Sequence, residues 1–377
     1  MPLFTEVVRL KREAAQALGQ KLGLKPYDAF LDEFEPGERS ASIAPLFARL
    51  RAFLPGIIEK AVERQAADQV STSQGPFPLE RQQRLASEIL RIVGFDFNRG
   101  RLDLAPHPFC SSIPTDVRIT ARFAPDDYVD GLMIVLHESG HGRYQQGLPS
   151  EWLDQPVGAA RSTCLHEGQA ILTEMQLGRS RAFLEFLAPL IAKAFPDAAA
   201  RDPRGYEPDN LFRQLSRVKP GLIRVAADGA TYPCHVVLRF ELEQALIDGS
   251  LMPANLPEAW NEGMREMLGL ETLGNDRDGC MQDLHWPCGM FGYFPTYTVG
   301  ALMAAQLFSA IERDSPDLDQ QIRRGELGPL NSWLREHVWS QGSVESGMAL
   351  VARATGRPLG TEAFEHHLKR RYLLREA

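Results

Sequence analysis

His137, Glu138 and His141 stand in the run GLMIVLHESGHGRYQQGLP as His-Glu-x-x-His. On an α-helix, two histidines four apart leave the same face one turn apart. Their ring nitrogens can then meet a single Zn²⁺ at about 2.0–2.1 Å. Glu138 lies next to one of them, placed to take a proton from water rather than to bind the ion. Three such residues can share a helix by accident. Here the apolar run LMIVL precedes them, and histidines and a glutamate on a buried helix must be satisfied by something. The chemistry expected is metal-assisted hydrolysis with Glu138 as general base.

A catalytic zinc needs a third protein ligand and an open fourth position. The segment AARSTCLHEGQAILTEMQLG supplies Glu167, with Ala160, Cys164 and Ile171 at i−7, i−3 and i+4, on the inward face of a helix. A glutamate on a helix is usually solvated, and Glu174 and His166 remain as alternatives. The His₂Glu set favours zinc, with Co²⁺ or Mn²⁺ also compatible.

The elements that must position these groups are mostly helices. Asp126 or Asp127 can cap the metal helix, and Gly147 followed by Pro149 supplies its stop. Val129, Leu132, Met133 and Leu136 form its apolar stripe. Leu3, Val7, Leu10, Ala14, Leu18 and Leu22 mark a first helix before Gly23, and similar stripes run through 42–66, 78–93, 257–269, 297–313, 328–340 and 361–374. One stretch differs. In DVRITARF, Val117, Ile119, Ala121 and Phe123 alternate with polar residues, which predicts a half-buried strand just before the metal helix. The fold class expected is mostly α, with a small antiparallel sheet beside that helix, in a single catalytic domain spanning 1–377.

Composition excludes other classes. The 377 residues carry a formal net charge of −8, which argues against a nucleic-acid surface. Five dispersed cysteines without a C-x-x-C pair fit reduced thiols rather than a disulfide framework. The start MPLFTEVVRLKRE shows no signal-peptide core. AFLEFLAPLIAKAF carries Glu185 and Lys193 and is too short for a membrane span. The expectation is a cytoplasmic protein with no membrane or nucleic-acid partner.

At the level of motifs the chain resembles the carboxypeptidase Taq family of metallocarboxypeptidases. The resemblance rests on HPF (107–109), DVRIT (116–120), HESGH (137–141), HEGQ (166–169), IRVAAD (223–228) and GCMQDLHW (279–286), in that order and followed by FGYFPTY. It implies that His137, His141 and Glu167 are the metal ligands and Glu138 the base. It implies a nearly all-helical fold with a deep groove, a cytoplasmic homodimer, and removal of single C-terminal residues with broad specificity. Family members usually extend beyond this N-terminus, so helices walling one side of the groove are expected to be missing. Gly229 stands where an acidic residue is expected, Pro233-Cys234 breaks a more regular stretch, and Trp339 and Gln341 replace expected histidines.

Peptide hydrolysis also needs oxyanion stabilisation and a proton for the leaving amine. His285, with Tyr293 or Tyr297, can donate to the oxyanion. A carboxypeptidase must capture a free C-terminal carboxylate, which arginine does best through its planar fork. Arg224 leads, followed by Arg118; Asp116 and Asp228 are possible structural partners for these arginines. His107, His235 and Arg239 are further lining residues. His366 and His367 are read as part of a solvated face. A zinc oligopeptidase or dipeptidase on a related scaffold is the nearest rival, and a truncated, non-catalytic peptide-binding paralogue is the alternative of a different class.

Overall fold

The computed structural model describes residues 2–375, and the side chains of all of these except Ser112. Helices dominate, and most expected stripes become helices within a few residues: Pro2–Leu22, Ser40–Gln65, Leu79–Val93, Leu256–Leu268, Pro295–Asp314 and Gly328–His337. Ser40–Gln65 is long and apolar enough, by length and composition, to cross a membrane. Ile43, Phe47, Leu50, Leu54, Ile57, Ile58 and Ala61 form a stripe along it that is buried in the main core. The last expected helix splits into Glu362–Leu368 and a π-wound stretch, Lys369–Leu374.

The sheet has three strands, β1 (Gly100–Leu104), β2 (Cys110–Ile113) and β3 (Asp116–Ala121), in the order β1-β3-β2. It is mixed, not antiparallel as expected. The two-residue turn Pro114-Thr115 makes β2 antiparallel to β3, whereas β1 joins the far edge of β3 in parallel after a longer crossing. Val117, Ile119 and Ala121 are fully buried and pack with Phe95, Leu90 and Val135 of the His-Glu-x-x-His helix, Val129–Gly147. The sheet thus supports that helix from beneath. Phe109 N donates to Thr120 Oγ1 at 2.9 Å, and Thr120 N donates to Phe109 O. This pair fastens the HPF run to β3.

Val129–Gly147 begins where Asp127 Oδ1 accepts from Val129 N at 2.7 Å. The helix is buried on nearly every side. Thr163–Ile171 crosses it and lies in turn against Pro295–Asp314. Both contacts run over glycines. A Cβ at Gly140 would collide with the carbonyl oxygen of Gln169 and lie 2.5 Å from Ala170 Cα. One at Gly300 would lie 2.8 Å from Cys164 O. Ser162 caps Thr163–Ile171 by accepting from Leu165 N. Glu35, fully buried and more than a hundred residues earlier, accepts from Ser162 Oγ at 2.8 Å and Cys164 N at 3.0 Å.

The same substitution should have opposite effects at two helical glycines. Gly140→Ala forces two backbones apart and should destabilise the protein by about 1–3 kcal/mol. Gly56, inside Ser40–Gln65, has nothing within 4 Å of its Cβ position. Gly56→Ala should therefore stabilise by up to about 1 kcal/mol. Denaturant unfolding of the two variants checks both signs.

Candidate metal centre and active site

The crossing of Val129–Gly147 and Thr163–Ile171 brings His137, His141 and Glu167 together. One donor atom from each lies within 4.8 Å of the others. His137 Nε2 is 3.9 Å from Glu167 Oε1, and His141 Nε2 is 3.7 Å from Glu167 Oε2. Each imidazole is held from behind. His137 Nδ1 donates to Glu174 Oε2 at 3.1 Å, and Glu174 Oε1 accepts from Arg179 Nη2 at 2.6 Å. His141 Nδ1 faces His166 Nδ1 at 2.6 Å, and Gln145 Nε2 lies 2.8 Å from His166 Nε2. If His141 held a metal through Nε2, its remaining ring proton would sit on Nδ1, facing His166. His166 would then carry its own proton on Nε2, and a half-turn of the Gln145 amide would present an oxygen to it. Glu174 and His166, the two alternatives for a third ligand, are therefore partners of the histidines.

The donor set fits a divalent cation. Three carboxylates, those of Glu138, Glu167 and Glu174, are gathered in a buried space around two imidazoles. Burial pushes Glu167 up from the usual carboxylate range. It acts the same way on Glu174, but Arg179 and His137 outweigh it and hold that carboxyl down to about 2. Burial opposes a charge on His137, yet Glu174 and Glu167 push its imidazole up to about 10. The carboxylates thus favour a positive charge between them, and the outward nitrogen of His137 is held by a carboxylate, a contact typical of metal sites.

Glu138 differs from its neighbours. It is 7% exposed, its Oε2 has no hydrogen-bond partner, and burial pushes its carboxyl up to about 7. A carboxyl poised near neutrality beside a metal-binding cluster can take up and return a proton.

These groups line a cleft of about 600 Å³, within the range of small-ligand sites. Arg224, Tyr293 and Tyr297 line it too. Arg224 is 5% exposed; its Nε and Nη2 donate to Asp283 and its Nη1 to Tyr232 Oη at 2.6 Å. Its structural acid is Asp283 rather than Asp228, whose carboxylate instead accepts from Lys219 N, Ala230 N and Thr231. His285 stands behind the tyrosines, with Nε2 3.4 Å from Tyr297 Oη and its ring against Phe294. Burial, with Arg224 adding to it, lowers this imidazole to about 4.

Other expected lining residues lie elsewhere. Arg118 is on the exposed face of β3, paired with Asp116 at 2.8 Å, because alternation along the strand turns it away from the metal helix. His107 is exposed, and its neighbours Pro108 and Phe109 form the rim instead. Arg239 is buried behind the wall, bound to Asp283 and His235 O. His235 is fully buried, with neither ring nitrogen hydrogen-bonded, and burial lowers it to about 3. Conversely, His367, read from sequence as solvated, reaches the cleft. The replaced C-terminal motif also has a structural role: Trp339 Nε1 donates to Gln169 Oε1 at 2.8 Å, and its ring covers Gly147.

The chain is similar to known metallopeptidases over nearly its whole length. The family model described as Carboxypeptidase Taq (M32) metallopeptidase matches residues 1–372. Thermostable carboxypeptidase 1 of Thermus thermophilus is 40% identical over 380 residues, covering 99% of this chain and 73% of the relative. Among solved structures, Trypanosoma cruzi metallocarboxypeptidase 1 is 42% identical with a TM-score of 0.94, over 98% of this chain and 77% of that one. The Pyrococcus furiosus carboxypeptidase structure is 32% identical with a TM-score of 0.92, over 99% of this chain and 74% of that one. A His-His-Glu cluster at a glycine-lined helix crossing, in a fold shared at this level over nearly all of its length, places the chain in the carboxypeptidase Taq family of metallopeptidases, as a peptide hydrolase.

Proposed function

We propose that the protein removes single residues from the free C-termini of peptides, with broad side-chain tolerance, using zinc held by His137, His141 and Glu167. The observation that carries this reading is the buried, unpartnered Oε2 of Glu138 beside the three converging donors. When bound, the ion supplies Lewis acidity, polarising the scissile carbonyl and making water more acidic. Glu138 takes the proton from the attacking water and returns it to the leaving amine. The hydroxyl of Tyr293 or Tyr297 donates to the oxyanion, with His285 orienting Tyr297. Burial raises both phenols, which keeps them protonated donors. Met133, Ile134, Ile171 and Met175 give the cleft an apolar lining, and the two methionines are flexible enough to suit varied residues.

Arg224 is the proposed reader of the substrate carboxylate. Three of its five N–H groups are engaged by Asp283 and Tyr232, so two remain for a ligand at the cleft wall. Arg118, exposed on β3, has no place in this reading. The oligopeptidase alternative shares the metal chemistry but needs no free C-terminus, so a C-terminally amidated peptide separates the two.

Metal content and turnover should respond differently to three substitutions. Glu138→Gln should retain stoichiometric metal and lose most of its kcat. Glu167→Ala should lose the metal on dialysis. Glu174→Gln should weaken metal binding by about 10- to 100-fold through His137. Elemental analysis with steady-state kinetics measures all three, and loss of metal from Glu138→Gln would remove the base assignment.

Arg224→Lys should raise KM for free-acid peptides roughly ten- to a hundredfold, the loss of about 1.5–3 kcal/mol from a charge-assisted hydrogen bond. Amidated peptides should be indifferent to it, and Arg118→Lys should change neither. Matched acid and amide substrates test this; equal losses on both would make Arg224 a structural residue.

A further inference from the structure

The helix carrying Glu167 does not continue in α form. From Leu172 to Gly178 it is π-wound, and Arg179 N donates to Glu174 O. Such turns are rare and recur at functional sites. Glu174 lies inside this one, and its carboxylate meets His137 Nδ1 at 3.1 Å. The carbonyl of Met175, in the same turn, accepts from Nη2 of Arg371. Arg371 comes from the second π-wound stretch, Lys369–Leu374, near the end of the chain.

The state of Arg371 is unusual. It is fully buried, its Nε and Nη1 have no hydrogen-bond partner, and no carboxylate among the described residues forms an ion pair with it. A buried guanidinium in this condition is costly, and an apolar side chain of similar size would fill the space better. Packing alone does not explain it. The groups that favour its charge are the adjacent Tyr372 hydroxyl and the Glu174 carboxylate, while Arg179 is a like charge close by. Gly229 completes the contact: a Cβ there would collide with Met175 Cε and lie 2.9 Å from Tyr372 Oη. A side chain at the position where an acidic residue was expected would therefore have to displace the end of Met175 and the Tyr372 hydroxyl.

We propose that Arg371 is a positioning residue for the metal centre, holding the π-wound turn through the Met175 carbonyl and thereby aiming Glu174 at His137. This rests on the reading of His137 as a ligand. The role is indirect: Arg371 does not line the cleft and touches neither substrate nor metal ligand.

Metal affinity, measured by competition with a chelator, and thermal unfolding of the metal-free protein test it together. Arg371→Met should bind zinc at least tenfold more weakly, with the unfolding temperature of the metal-free protein unchanged or raised. Arg371→Lys, which keeps a charged donor for the carbonyl, should recover most of the affinity. Arg371→Gln, uncharged but able to donate, should fall between them and serves as the test variant if the methionine form does not fold. Wild-type affinity in the methionine or glutamine form overturns the proposal. So does a loss that lysine does not recover, or one matched by a fall in metal-free stability. Glu167→Ala, run in parallel, separates the two levels: if it too binds zinc normally, the ligand assignment itself has failed.

Discussion

The contact at Gly140 is the constraint on which the rest depends. Donor atoms on two helices can share one ion only if the helix axes approach closely, and a side chain at the crossing would hold them apart. Gly140 lies between His137 and His141 and faces the backbone of Gln169 and Ala170 with no room for a Cβ. Gly168 and Gly300 repeat the arrangement on the opposite side, where Pro295–Asp314 presses Thr163–Ile171 inward and carries Tyr297 to the cleft wall. The sheet has a lesser part: it supports the His-Glu-x-x-His helix and anchors the rim at Phe109 through Thr120.

Around this crossing the two imidazoles and the cleft arginine are held by partners, whereas one carboxylate oxygen beside them is left unpaired. His137 and His141 each have a partner behind the ring, and Arg224 is anchored by Asp283 and Tyr232. Glu138 alone keeps a buried carboxylate oxygen without a partner in the cluster. An unpaired buried polar atom is costly, and such a cost tends to be retained where the atom takes part in a reaction.

Much of this was legible from residue spacing. His137, Glu138 and His141 were visible because a helix turns once in about four residues, and the strand before them because its alternation has period two. Glu167 emerged from helix phase, although Ala160, used in that argument, precedes the helix. Some features were not legible for physical reasons. Tyr232–Asp248, which holds His235, Arg239 and Glu243, is buried on almost every face and so has no apolar stripe to reveal it. The parallel pairing of β1 depends on a crossing that no local pattern encodes. The roles of Glu174 and His166 depend on which way their helix faces after docking, and the π-wound turn leaves no signature in composition. Arg118 meets Asp116, which its own strand supplies, but that Arg224 and Arg239 share Asp283 only the fold shows.

The carboxylate of Glu35 has a consequence for how the molecule assembles. It accepts from Ser162 Oγ and Cys164 N, at the first turn of the helix that bears Glu167. That turn is therefore completed by a group far away in sequence, and closing so long a loop is slow relative to forming either helix. A chain that has formed its His-Glu-x-x-His helix but not docked the segment around Glu35 holds two imidazoles without a fixed third donor. With Glu167 as a donor, tight ion capture would follow the meeting of these distant parts, and the ion would act as a lock on a finished architecture rather than as its nucleus.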